Sequence, residues 1–144
     1  MKVSSKGHYG LLALAELAAN YRLHRAVQLK EIAENQQIPM QYLGQIMVLL
    51  KRGDLVLGTR GPAGGYMLAR PPESICVKEA LQVLEGPMAG FDIGARRRGQ
   101  ELPVVTRRLI EAWSRGLRAM EEVLEQTTLE DLCRSEERPL MYYI

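Results

Sequence analysis

The sequence predicts a mainly α-helical fold with one small two-stranded hairpin, and three observations carry that prediction. Apolar residues recur at spacings of three and four along most of the chain. One stretch, "TRGPAGGYMLARPP" (59–72), interrupts that rhythm with glycine and proline between two short apolar runs. A long uninterrupted helical pattern then occupies residues 103–126.

The elements follow in order. Residues 5–20, "SKGHYGLLALAELAAN", place Tyr9, Leu12 and Leu17 among alanines at helical spacing, with Ser4 or Ser5 as the cap. Residues 28–36 form a short amphipathic helix with Leu29, Ile32 and Ala33 on one face. The turn "QIP" separates it from a helix at about 39–52, where Pro39 suits a first turn. That helix buries Leu43, Ile46, Met47 and Leu50, and Gly53 is expected to stop it as a left-handed residue past the last turn. "DLVLGT" (54–59) and "YMLA" (66–69) are the strands of a hairpin, closed off by "RPP" because proline lacks the amide a strand needs. Residues 77–85 make one more short helix, and 86–101, with four glycines and no periodicity, read as a loop.

Two short helices joined by a tight turn, the second followed by a hairpin, is the order of a winged helix-turn-helix. The domain reading is therefore 1–85 for that unit, 86–102 for a loop, and 103–144 for the long helix with a short helix and tail. The long helix sets Val105, Leu109, Trp113, Leu117, Met120 and Leu124 on one stripe. A stripe on a helix beyond a compact unit needs a partner. A second copy is the favoured one, packing back on its own body the alternative. Thr128 and Asp131 form a capping pair for a last short helix, "LEDLC".

Charge is uneven. Residues 1–72 carry nine Lys/Arg against four Asp/Glu, a net of +5, and residues 73–144 carry ten against thirteen, a net of −3. A basic N-terminal half suits a polyanion, because phosphate attracts Lys and Arg whatever the base sequence. No apolar run approaches the ~18 residues of a membrane span, and "MKVSSKGHYG" has no signal-peptide core. The chain is therefore expected to act in the cytoplasm, away from membranes. Cys76 and Cys133 have no CxxC partner, which argues against a disulfide framework or zinc site.

The glycine run is not a phosphate loop: no Lys-Ser/Thr follows it, and a strand follows where a helix should. G-x-G-x-x-G is absent too. What remains is a hairpin tip with Arg60 at its lip. Taken alone it fits two readings equally, a wing whose glycines let arginine approach DNA closely and a plain solvated turn. On the preceding helix, Met40, Gln41, Tyr42, Gly44 and Gln45 are the exposed N-terminal positions. Glutamine pairs with adenine edges and tyrosine reaches phosphate, while the absence of arginine there argues against bidentate guanine reading. His8 and His24 enter no nucleophile–base arrangement, so an enzyme is not expected. "ARRRG" (95–99) is a basic cluster that suits phosphate or an anionic effector, or simply solvent.

"SSKGHYGLLAL", "LKEIAENQQIPMQYLGQIMVLLKRGDLV", "TRGPAGGYMLARPPESICVKEALQVLEGP" and "TTLEDL" together resemble the Rrf2 family of bacterial transcription regulators, closely over residues 1–87 and loosely over 103–133. The resemblance implies a winged helix-turn-helix with a long C-terminal dimerisation helix. It implies a homodimer on a palindromic double-stranded operator, with the second helix in the major groove and the wing arginine in the minor groove. By position, Gln41, Tyr42 and Gln45 take the reading role, Arg60 and Gly61 the wing role, and Ser4, Lys6 and Tyr9 match positions near the DNA backbone. Gly44 departs from the Glu common in cluster-sensing members.

Many members also bind an iron–sulfur cluster through three cysteines in the loop before the long helix, plus another ligand. Residues 86–106 here contain no cysteine, and Val104 and Arg107 stand where those members offer Cys-x-x-His. Thiolates hold such clusters, so the expectation is no cluster of that kind and no cofactor. A small metabolite, a partner protein or a thiol, Cys76 among them, stays open as the signal, and the effector is unidentified. A protein-interaction module and a redox sensor using thiols outside the loop are the alternatives to a DNA-binding regulator.

Overall fold

The structure, a computed structural model, describes residues 2–89 and 101–134. Its first helix, α1 (Ser5–Asn20), starts where the Ser4 hydroxyl accepts the Gly7 amide at 3.2 Å. Ala13, Leu14, Leu17 and Ala18 line its buried side. α2 (Leu29–Gln36) ends on Gln37 in the left-handed region, φ 54°, and the Ile38 amide returns to the Ala33 carbonyl at 2.9 Å. That pattern ties off the helix end, and the buried Ile38 side chain makes the accompanying apolar contact. α3 (Met40–Arg52) follows with Pro39 at its cap rather than inside its first turn, and Leu43, Ile46, Met47 and Leu50 fully buried.

Gly53 does not take the left-handed conformation expected of it. Its φ is −83°, and Asp54 is the left-handed residue at φ 56°. The glycine serves close packing instead: a Cβ at Gly53 would lie 2.5 Å from Val83 Cγ1. β1 (Val56–Thr59) and β2 (Gly65–Leu68) pair antiparallel, from Val56↔Leu68 to Thr59↔Gly65, so the hairpin is shorter at its base than the apolar runs suggested. Asp54 is spent on the helix exit, and the strand begins only beyond it. Val27 adds a bridge to Tyr66, with N–H···O contacts of 2.9 and 2.8 Å, and anchors the hairpin to the segment before α2.

α4 (Val77–Glu85) crosses α1 where Gly10 leaves no room, since a Cβ there would meet Leu84 Cδ1 at 2.4 Å. α5 (Val104–Gln126) buries none of its residues, and Pro103 caps it. The chain then returns: Val77 donates to the Thr127 carbonyl at 2.8 Å and Leu129 to the Ile75 carbonyl at 2.9 Å. α6 (Leu129–Cys133) carries the expected capping box between Thr128 and Asp131, and Leu129 is fully buried in the same core as α1 and α3. The short helix therefore packs with the N-terminal body and anchors the C-terminal end of α5 to it. Residues 90–100 of the 86–102 loop, with the basic cluster at 95–99, and the tail from 135 lie outside the described residues.

Glu85 closes the base of α1. Its carboxylate accepts the Ser4 amide at 3.0 Å and the Ser4 hydroxyl. The Ser4 hydroxyl holds this carboxyl below the usual carboxylate range, against a smaller upward push from burial. A depressed folded value stabilises above the ordinary pKa of about 4.3 and is lost as pH falls through the folded value. Glu85→Gln is therefore expected to lower the melting temperature at pH 7, with the gap to wild type closing as pH drops below about 4. Circular-dichroism melts of both proteins across that range check it.

Candidate nucleic-acid interface

α3 has two unlike faces. Its inner side is sealed in the core, and its outer side exposes Gln41, Gln45, Val48, Lys51 and Arg52 at helical spacing. Gly44 sits between the two glutamines, and nothing lies within 4 Å of a Cβ built on it. Tyr42 is half-buried and meets Tyr9 of α1 edge-on, ring centroids 5.7 Å apart at 82°. The contact joins two of the predicted site residues and fixes the start of α3 against α1. Val48, Lys51 and Arg52 escaped the sequence reading, which stopped at the N-terminal turn. The same three-and-four spacing, carried on from Gln41 and Gln45, points to them.

The hairpin tip is braced from within. Gly64 donates to the Gly61 carbonyl at 2.9 Å, closing a turn with Pro62 at its second position. The Thr59 hydroxyl accepts the Gly65 amide at 3.0 Å. Gly61 has φ 100°, a value closed to other residues, and Gly64 has no space for a Cβ, which would lie 2.6 Å from the Thr59 carbonyl oxygen. The glycines make a tight loop that holds Arg60 at an exposed position.

Among the described residues, some cations are ion-paired within the chain and others, Lys2, Lys6, Arg107, Arg108, Arg115 and Arg118 among them, are not. Arg22, Arg25, Lys30, Arg70 and Lys78 are paired with Glu130, Glu31, Glu34, Glu79 and Glu121/Glu125. Lys51 and Arg52 on α3 and Arg60 on the tip have no ion-pair partner among the described residues. Lys51 also lies against β1, its Nζ 3.4 Å from a Cβ built on Gly58, so helix and hairpin share one positive edge. Uncompensated guanidinium and ammonium groups on one edge are what a polyanion binds.

The remaining predicted residues fare differently. Lys6 is half-buried near Glu85, and Ser4 is occupied by its cap and by Glu85. Ser4 itself stays exposed.

The thiols sit apart from this edge. Cys76 caps α4, its Sγ accepting the Glu79 amide at 3.4 Å. Cys133 donates to the Ala15 carbonyl at 3.4 Å, and burial, then Glu130 and Glu16, push its thiol above the ordinary value. A thiol kept protonated is a poor nucleophile and a poor ligand. No group of three or more His, Cys, Asp or Glu among the described residues is placed to hold a metal ion. No helix there is long and apolar enough to cross a membrane.

Residues 3–135 match the Rrf2 family, described as an iron-dependent transcriptional regulator. The HTH-type transcriptional regulator IscR of Cereibacter sphaeroides is 40% identical over 144 residues, 96% of this chain and 91% of the relative. The HTH-type transcriptional regulator CymR of Bacillus subtilis is 36% identical over 147 residues and covers both chains fully. The solved structure of that CymR, titled the global cysteine regulator of B. subtilis, superposes with a TM-score of 0.78 over 92% of this chain and 96% of that one. The two half-buried thiols, one capping a helix and one kept protonated, do not fit the iron–sulfur ligand set that the resemblance implies. The fold, the helix-turn-helix with its hairpin and these relatives converge: the chain belongs to the Rrf2 family of transcriptional regulators, DNA-binding proteins rather than enzymes.

Proposed function

We propose that the chain is a homodimeric, sequence-specific regulator that acts in the cytoplasm on a palindromic double-stranded operator. α3 enters the major groove with Gln41, Tyr42 and Gln45 toward the bases, and the wing carries Arg60 and Gly61 to the minor groove. The observation that carries this reading is the positive edge on which Lys51 and Arg52 of α3 and Arg60 of the hairpin tip stand without an ion-pair partner among the described residues. Glutamine offers an amide donor and acceptor to adenine edges. Arginine is drawn to the negative potential of a narrow minor groove. Tyr9 acts through its contact with Tyr42, and Lys6 adds charge near the start of α1. Dimerisation uses the α5 stripe of Val105, Leu109, Trp113, Leu117, Met120 and Leu124. No cofactor is assigned, and the signal reaches the protein through an effector still to be identified.

Operator fragments selected from a random DNA pool test the reading. Arg60→Ala is expected to weaken binding by about 1–3 kcal/mol, while its melting temperature stays near wild type. Wild-type affinity should fall linearly in a log–log plot against salt, with a slope of about −0.9 for each phosphate neutralised. Fluorescence anisotropy reads both. Equal affinity for wild type and variant would remove the wing from the interface, and an affinity indifferent to salt would favour a protein partner over DNA.

A further inference from the structure

The outward side of α3 is not uniformly polar. Val48 is 48% exposed in the body of the helix and belongs to no part of the buried core. At about 100° per residue, the outward arc of α3 spans about 120°, from Lys51 through Val48 to Gln41, Arg52 and Gln45. Val48 lies at the middle of that arc. Along the axis it stands about 4.5 Å beyond Gln45 and as far before Lys51. A surface that touches both Gln45 and Lys51 therefore covers Val48 as well. The DNA-binding reading, on which this inference rests, names that surface as a polyanion, since Lys51, Arg52 and Arg60 have no ion-pair partner among the described residues. What an apolar side chain does at the centre of such a contact is a separate question.

Its neighbours decide how close the other surface comes. Gly44 lies one turn before Val48 on the same side, and nothing lies within 4 Å of a Cβ built on it. Glycine is disfavoured inside a helix, and here the chain's own packing does not require it. Gly10 on α1 differs, since its Cβ would strike Leu84 at 2.4 Å. The missing side chain at Gly44 lets another surface approach the helix backbone beside Val48. Valine itself has two methyls on a branched Cβ and one strongly preferred rotamer in a helix. It presents a fixed apolar knob and offers no hydrogen bond. Gln41, Gly44, Gln45 and Val48 also stand at i, i+3, i+4 and i+7, the spacing from which the major-groove helix of a homeodomain reaches base edges.

We propose that Val48 is a specificity-determining residue that packs on the C5-methyl group of a thymine. In the major groove that methyl is the apolar feature of the base edges, which otherwise show donors and acceptors. Cytosine leaves a gap where the methyl would pack. Adenine and guanine set polar ring edges against a side chain that cannot pair with them. The thymine lies within about two base pairs of the position facing Gln45, because about 4.5 Å along the helix compares with about 3.4 Å per base step. Glutamine on adenine and valine on thymine together make α3 a reader of A·T pairs, in keeping with the absence of arginine from its first turns.

Deoxyuridine, which lacks the methyl of thymine and keeps its hydrogen-bonding groups, tests this on an operator that the full chain selects from a random DNA pool. Each thymine of one half-site is replaced in turn, and binding is read by fluorescence anisotropy. One replacement should weaken wild-type binding by about 3- to 5-fold, the factor that burial of a single methyl group supplies. Val48→Ala should bind the thymine and deoxyuridine operators equally. It should melt no lower than wild type, because alanine favours the helix and Val48 lies outside the core. Any effect of the methyl on DNA shape would be felt by both proteins, so the comparison isolates the contact. No loss at any thymine, or the same loss for wild type and Val48→Ala, would overturn the role of Val48 and leave DNA binding standing. A wild-type chain that enriches no sequence from the pool would overturn the DNA-binding reading and this inference together.

Discussion

Gly65→Ala is expected to lower the melting temperature by about 10 °C, taking a cost near 3 kcal/mol and a few degrees per kcal/mol for a chain of this size, and to abolish measurable operator binding. A Cβ at this position would lie 2.4 Å from the Val27 carbonyl oxygen and 2.7 Å from its carbon. These are backbone atoms, so no rotamer change relieves the contact. The strands must separate, which removes the two hydrogen bonds between Val27 and Tyr66 and the bond from the Gly65 amide to the Thr59 hydroxyl. Relief by separation forfeits about 1 kcal/mol for each of these three bonds, which matches the upper end of the roughly 1–3 kcal/mol that unrelieved overpacking of this kind costs. Gly61→Ala is the control: its built Cβ meets nothing within 4 Å, so only its positive φ is strained and the loss should be smaller. Thermal denaturation and DNA anisotropy on the two variants separate anchoring of the wing from conformation at its tip. Similar melting temperatures for both would show that the Val27 bridge does not hold the hairpin.

Ile46→Ala has the second large effect, with an expected loss of about 2–5 kcal/mol. Ile46 is fully buried at the centre of α3, in one core with Leu14 of α1, Leu55 before β1 and Leu129 of α6. Truncation leaves a cavity bordered by several elements, which cannot all close on it. A domain of this size is stable by about 5–15 kcal/mol, so the variant should unfold at markedly lower urea. The adjacent residue supplies the contrast. Gln45 lies on the outer face, and Gln45→Ala should change stability by less than about 0.5 kcal/mol while weakening operator binding. Urea unfolding and DNA titration on the pair would place stability on one side of α3 and recognition on the other. A Gln45→Ala protein that binds as wild type does would remove Gln45 from the reading face.

Local patterning was enough for the helices, because period, caps and breakers act over a few residues. α1 and α4 run over the residues expected, α2 and α3 begin one residue later because Gln28 and Pro39 sit at their caps, and the Thr128–Asp131 capping box is present as read. The order of helix, turn, helix and glycine-tipped hairpin was legible for the same reason, and so was the stripe on α5. Other features depend on residues far apart in sequence, and no local pattern encodes them. Gly53 is a glycine because Val83 packs on it, not because the chain must turn there. Ser4, still exposed, is held by Glu85, 81 positions away. Val27 becomes the hairpin's anchor and Leu129 completes a core begun at Leu14 only once the chain has folded back on itself. Tertiary packing also neutralised cations that no local pattern pairs, since Arg22–Glu130 joins distant segments whereas Lys30–Glu34 is an i,i+4 pair. Local periodicity therefore identified which residues face out, and long-range packing set the helix and the hairpin that carry Lys51, Arg52 and Arg60, none of them ion-paired among the described residues, beside one another.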